Sequence, residues 1–218
     1  MAKDFATLKQ RQRAERENYP EHLSLRVHRA LSWLNRAEQC EDDPDGRFIF
    51  LWIAFNAAYA NETGDQHIGE ARQFNDFLAR MDKLDGAGRL SGIVWQQYPQ
   101  AIRVLLDNQF VFQPYWDHLN GLESGADWED QFQRARTAAQ KSLASQNTAK
   151  VLGIVFSRLY TLRNQLIHGG ATWNSQVNRQ QLSDANRILG DLVPAIIEIM
   201  MDNADKHWGE ACYPVRQS

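Results

Sequence analysis

Apolar residues recur at spacings of three and four along most of the chain, and no stretch sustains the two-residue alternation of β-branched side chains expected of a half-buried strand. The pattern predicts an all-α fold. Residues 3 to 17 hold few apolar positions and could form a charged helix with little to bury. Pro20 suits a first helical turn, and Leu23, Val27, Ala30, Leu31 and Leu34 then make a helical stripe that runs to about Gln39. The segment E-D-D-P-D-G, residues 41 to 46, reads as a turn. It is followed from Phe48 by F-I-F-L-W-I-A-F-N-A-A-Y-A, which is apolar on every side except at Asn56. A helix with no polar face is expected to be buried all round.

Residues 67 to 84 read as a helix, and G-A-G-R-L-S-G at 86 to 92 as a break or a weak helix start. Short helices are expected near 92 to 107 and 114 to 120, separated by Asn108 and Pro114. Asp127 can cap W-E-D-Q-F-Q-R-A-R-T-A-A-Q-K-S-L, and Thr148 can cap the helix after it. A last long helix runs from about Val177 to Asn203, with Gly190 and Pro194 placed to bend it. No repeat, low-complexity tract or linker divides the chain. The organisation read from the pattern is therefore one domain over 1–218, in which about 62 to 147 form a helical insertion between an N-terminal and a C-terminal helix pair.

Composition agrees with a folded chain: 218 residues, 43% hydrophobic, 11% aromatic and 23% charged, with seven tryptophans that need interior or interface sites. The formal net charge of -3 argues against a protein that coats nucleic acid through overall positive potential, and leaves room for a local basic site. Cys40 and Cys212 are far apart in sequence and suggest neither a disulfide framework nor a thiolate metal site. The N-terminal residues lack the apolar core of a signal peptide, and no apolar run approaches the roughly 20 residues that cross a bilayer. A cytoplasmic chain with no membrane partner is the expectation.

The chemistry concentrates in R-N-Q-L-I-H-G-G, Arg163 to Gly170, at the end of an amphipathic stretch. Val155, Leu159, Leu162 and Leu166 share one stripe, and Phe156, Tyr160 and Ile167 widen it to about 160°. That arc suits a helix packed on its own bundle on one side and on a second surface, such as another subunit, on the other. Arg163 falls inside the arc, between Leu159 and Phe156, where a charge needs an anionic partner or must snorkel to water. The partner could be an Asp or Glu of the bundle, or the phosphate of a ligand. Asn164 and His168 share a face, whereas Arg163 and His168 are about 140° apart on a regular helix. One ligand can meet both if the arginine curls round, if the helix ends at His168 as Gly169 and Gly170 suggest, or if two chains share the site. Asn56, the lone amide of its helix, either bonds to a neighbouring helix or orients Arg163 or His168.

Other motifs offer less. G-A-G-R-L-S-G lacks the spacing and the preceding strand of a dinucleotide loop, and the remaining histidines form neither H-x-x-x-H nor H-E-x-x-H. The charged run at 9 to 17 reads as a solvated helix face, and the aromatics from Phe110 to Trp116 as core or as cover for the insertion.

R-N-Q-L-I-H-G-G resembles the R-x-x-x-x-H signature of HEPN domains (higher eukaryotes and prokaryotes nucleotide-binding), in which the residue after the arginine is commonly polar, as Asn164 is. F-L-W-I-A-F-N-A-A-Y-A is similar to the helix that carries W-x-A-F-N-x-x-Y in some members. The resemblance covers about 22 to 62 and 148 to 204. It implies an up-and-down HEPN-like helical bundle that forms a homodimer through the motif helix, with two motifs facing across a cleft. It further implies a metal-independent endoribonuclease, needing no cofactor, that acts on RNA as a toxin or defence effector and can be paired with a nucleotidyltransferase-type antitoxin. Arg163 would then neutralise the scissile phosphate, and His168 would move the proton while the ribose 2′-hydroxyl attacks. Asn164 would hold the geometry or touch the phosphate, with Asn56 in support. The alternative expectation is a non-catalytic module that binds nucleotide or RNA, or a dimeric scaffold.

Overall fold

Asp4 starts the first helix, its carboxylate accepting from the Thr7 amide at 2.9 Å. The structure, a computed structural model, describes residues 3–60, 70–176 and 178–210, with the backbone alone at 70 and 71. Helix α1 runs Phe5–Glu15 and buries Leu8 and Gln12, which lie four apart. Arg11 pairs with both Glu15 and Asp202, while Arg13, Arg16 and Glu17 are exposed. Helix α2 runs Glu21–Glu38 on its predicted stripe. Pro20 stands just outside it, since its ψ of 146° is extended rather than helical.

Helix α3, Pro44–Tyr59, begins four residues before Phe48, within the segment expected to be a turn. Asp43 accepts from the Gly46 amide at 3.0 Å, and Pro44 occupies the first helical position, where a missing N–H costs nothing. Nor is α3 buried all round in the single chain. Phe48, Leu51, Trp52, Phe55, Ala58 and Tyr59 face the core, whereas Ile49, Phe50, Ile53, Asn56 and Ala57 are half-exposed. Phe50 is stacked on Trp33 of α2, with ring centroids 5.7 Å apart.

Helix α4, Glu70–Leu84, turns Phe74, Leu78 and Met81 fully inward; residues 67 to 69 of the predicted helix lie outside the described residues. Helix α5, Arg89–Gly92, passes into a π-helical turn, Ile93–Gln97, closed by the bond from Tyr98 N to Ile93 O, and Pro99 then opens α6, Pro99–Leu106. The single helix expected over 92 to 107 is thus interrupted at Tyr98. Helices α7, Gln113–Leu119, and α8, Trp128–Ala144, are followed by α9, Thr148–Ile167, and α10, Arg179–Asp202. Val177 lies outside the described residues.

Two caps differ from expectation. Asp127 flanks α8 without a capping bond, because its carboxylate accepts instead from Gln131 and Arg134 one and two turns on. Asn147, not Thr148, caps α9 by accepting from the Lys150 amide at 2.9 Å, which leaves the Thr148 hydroxyl to accept from Trp95 Nε1 at 3.0 Å.

Among the described residues the molecule is all-helical. Helices α2, α3 and α10 pack as one group, and α9 packs chiefly on α4. Gly153 of α9 faces Asn75 of α4, where a Cβ would stand 2.4 Å from Asn75 Oδ1. The two groups meet through aromatic rings: Phe55 of α3 lies 4.3 Å from Phe156 of α9, and Trp52 lies 6.1 Å from Phe156 and 6.0 Å from Tyr160. These pairings run α3 and α9 in opposite directions. Residues 70 to 106 contribute to the same core as the helices on either side. Among the described residues no helix is long and apolar enough to cross a membrane.

Candidate functional site

The C-terminal end of α9 is closed by its glycines. Gly169 has φ +70°, its amide reaches Leu166 O at 3.3 Å, and the Gly170 amide reaches Gln165 O at 2.7 Å, the two bonds of a Schellman stop. His168 is therefore the helix-capping residue. Its ring is exposed and makes no hydrogen bond among the described residues.

Beyond the stop, the chain is tied to the start of α3. Trp173 Nε1 donates to Asp43 Oδ1 at 3.2 Å, the Asn174 amide donates to Asp45, and Arg179 meets Asp45 with both terminal nitrogens, at 2.9 and 3.1 Å. Gln165 adds two more ties, donating to Phe110 O at 2.7 Å and accepting from Asn178 at 2.8 Å. The acids of E-D-D-P-D-G thus anchor the loop that follows the motif. Nothing in the spacing of Asp43 and Asp45 relative to residues 173 to 179 signals this, because the contact spans about 130 residues of chain.

Arg163 is half-buried, its guanidinium carbon 5.6 Å from the centre of the Tyr160 ring. Nη1 donates to Asn164 Oδ1 at 2.9 Å, and Nε is buried without a partner. No Asp or Glu among the described residues forms an ion pair with it. Asn164, having accepted from Arg163, keeps its amide NH₂ free of protein partners among the described residues. Arg163 Nη2 and Asn164 Nδ2 are therefore donors left over on adjacent residues, with the exposed imidazole of His168 one turn beyond Asn164.

Asn56 stands apart from this group. It lies one turn past Trp52 along α3, and the opposed direction of the helices carries it away from the Arg163 end of α9. Its Oδ1 is buried with no hydrogen bond, as is Trp52 Nε1, so it bonds to neither Arg163 nor His168. Arg163, Asn164 and His168 are brought to one helix end; Asn56 is not. Among the described residues no cluster of three or more His, Cys, Asp or Glu side chains could hold a metal.

A second arginine on α9, Arg158, is more deeply buried than Arg163, at 3% exposure. Spacing gave it no prominence: on a regular helix it falls about 40° beyond Leu162, outside the arc from Leu162 to Tyr160. No family model matches the chain, and no curated protein or solved structure matches it.

Proposed function

We propose that the protein is a metal-independent endoribonuclease of the HEPN type, working as a homodimer whose two motif helices face each other. The observation that carries this reading is the half-buried guanidinium of Arg163, which no carboxylate among the described residues neutralises. A charge kept partly out of water without a counter-ion favours binding of an anion. Its free Nη2 and the free amide of Asn164 are two donors for the oxygens of one phosphate.

The reaction needs only groups that RNA and the dimer supply. One imidazole takes the proton of the ribose 2′-hydroxyl while its oxygen attacks phosphorus. The bond from phosphorus to the 5′-oxygen breaks, and a second imidazole gives that oxygen a proton, leaving a 2′,3′-cyclic phosphate and a 5′-hydroxyl. His168 and the partner subunit's His168 fill these two roles, and Arg163 stabilises the charge growing on the non-bridging oxygens. Imidazole suits the work because its proton affinity lies near neutrality. The same resemblance extends the reading to a toxin or defence effector restrained by a nucleotidyltransferase-type antitoxin.

The test is cleavage of assorted RNAs in EDTA by the wild-type protein and by His168→Ala. The exposed position of His168 keeps its loss from disturbing the core. Cleavage that yields cyclic phosphate ends and falls by 10² or more in the variant, about the size of a general acid–base contribution, supports the reading. Equal cleavage by both proteins rejects it. A protein that dimerises and binds RNA without cutting it leaves the non-catalytic module in its place.

A further inference from the structure

Among the described residues two arginines are all but fully buried, and they are treated differently. Arg26, at 1% exposure, is surrounded by backbone acceptors, donating to Ala58 O at 3.0 Å and to Ala60 O and Glu210 O at 2.7 Å each. That is how a fold buries a guanidinium for its own purposes. Arg158, at 3%, has one long bond to Leu106 O at 3.4 Å. Its Nη1 donates to no acceptor among the described residues, and no carboxylate among them pairs with it. The rest of its environment is aromatic: the guanidinium carbon lies 4.4 Å from the centre of the Phe112 ring and 5.6 Å from that of Phe132. Burial pushes its pKa down to about 10, which leaves the group charged at neutral pH.

Arg158 lines an open cleft of about 720 Å³ between α4, α8 and α9. The volume lies within the range that holds small-molecule ligands. The cleft stays open because the facing positions are small, with Ala135, Ala138 and Ser142 on α8 set against Gly153 and Ser157 on α9. Its charge is opposite in sign to that of the whole chain. Lys141, Lys150 and Arg158 line it against one carboxylate, Asp76, in a protein of net charge -3. Both lysines are exposed and form no ion pair among the described residues. Lys150 sits in the first turn of α9, where the helix dipole adds positive potential, about 12 Å along the axis from Arg158. On a regular helix Arg158 is about 140° from Arg163, so the cleft is separate from the motif.

We propose that this cleft binds a phosphate-bearing small molecule, its phosphate seated on Arg158 and further charge reaching towards Lys141 and Lys150. A fully buried cation with unused donors at the wall of an open, positively lined cleft is arranged for an anion that the chain itself does not provide. The cluster suits a multiply charged anion better than a lone carboxylate, and the separation of Arg158 from Lys150 suits an extended one. The inference stands on α4, α8 and α9 and does not depend on the ribonuclease reading.

The experiment measures binding by calorimetry, and melting temperature, at constant ionic strength with orthophosphate, pyrophosphate and magnesium-free ATP as probes and sodium chloride as the control. Wild-type protein is expected to bind at least one phosphate probe saturably with a rise in melting temperature. Saturation by orthophosphate or pyrophosphate identifies a free phosphate, and saturation by ATP alone identifies a nucleotide. Arg158→Met should abolish the binding while melting no lower than wild type without ligand, and Lys150→Gln, at an exposed position, should weaken it about tenfold. Should Arg158→Met not fold, Lys150→Gln and Lys141→Gln carry the test. No saturable binding of any probe, or equal binding by the variants and the wild type, overturns the proposal.

Discussion

Arg163 lies over Tyr160 and holds Asn164 without a carboxylate, so substituting it separates an anchor of the fold from an anchor for a ligand. Arg163→Met removes a half-buried charge and leaves no opposite charge stranded, so stability should stay within about 1 kcal/mol of wild type. Arg163→Lys keeps the charge but loses the planar fork and the stack on Tyr160. RNA cleavage by the lysine variant should fall by about 10² to 10³, the size of a lost oxyanion contact. Urea denaturation and single-turnover cleavage measure the two effects. A Met variant destabilised by several kcal/mol would make Arg163 a structural group and remove the basis of the catalytic reading. At this scale the sequence was legible where a residue broke a period: Arg163 inside an apolar arc was visible from spacing alone. Arg158 lies about 40° outside that arc, so the same reading passes over it, and only its burial in the fold reveals it. Asn56 also broke its pattern, yet periodicity carries no direction along α3, and only the packing of Trp52 on Tyr160 shows that it is displaced from the motif.

At the scale of the element, helices were readable and their first residues were not. The stripes of α2 and α9 were set by apolar spacing, which the core enforces through burial of Leu23, Leu31, Val155 and Leu159. Caps depend instead on which of several neighbouring polar groups reaches an amide first. Thr148 lost the cap of α9 because its hydroxyl serves Trp95, and Asp127 lost that of α8 to Gln131 and Arg134. Asp43 does cap α3, and the same oxygen accepts from Trp173 in the loop behind the motif. Asp43→Ala should therefore cost about 1 kcal/mol as a lost cap and also loosen residues 171 to 176. Asp127→Ala, which loses no cap bond, should cost less. Thermal melts of the two variants rank the costs, and amide exchange shows whether the loop after Gly170 opens in the first alone. Equal costs would mean that the Asp43 bond adds nothing to α3.

At the scale of the molecule, the all-α class was legible, since a helical period recurs from α2 to α10. The assembly was only hinted at, by an arc on α9 too wide for one partner and a helix α3 too apolar for a surface. The chain alone leaves these hints open: Ile167 is 49% exposed, Trp173 is 73% exposed, and one side of α3 is half-covered. A second copy seated on the end of α9 would cover Ile167, bring a second Arg163 to the site and supply the second imidazole that the proposed reaction needs. Ile167→Asp tests this directly, because an exposed side chain can be charged without disturbing the core. The variant should keep its melting behaviour, sediment as a monomer where the wild type is a dimer, and lose RNA cleavage. Nucleic-acid affinity should respond weakly to salt, since each Arg163 neutralises one phosphate and two such contacts give a slope of about -1.4 in log K against log salt on a single strand. A wild-type monomer that still cleaves, or an Ile167→Asp monomer as active as wild type, would show that one chain holds the complete site, and the separate roles of two imidazoles would then have to be reassigned within it.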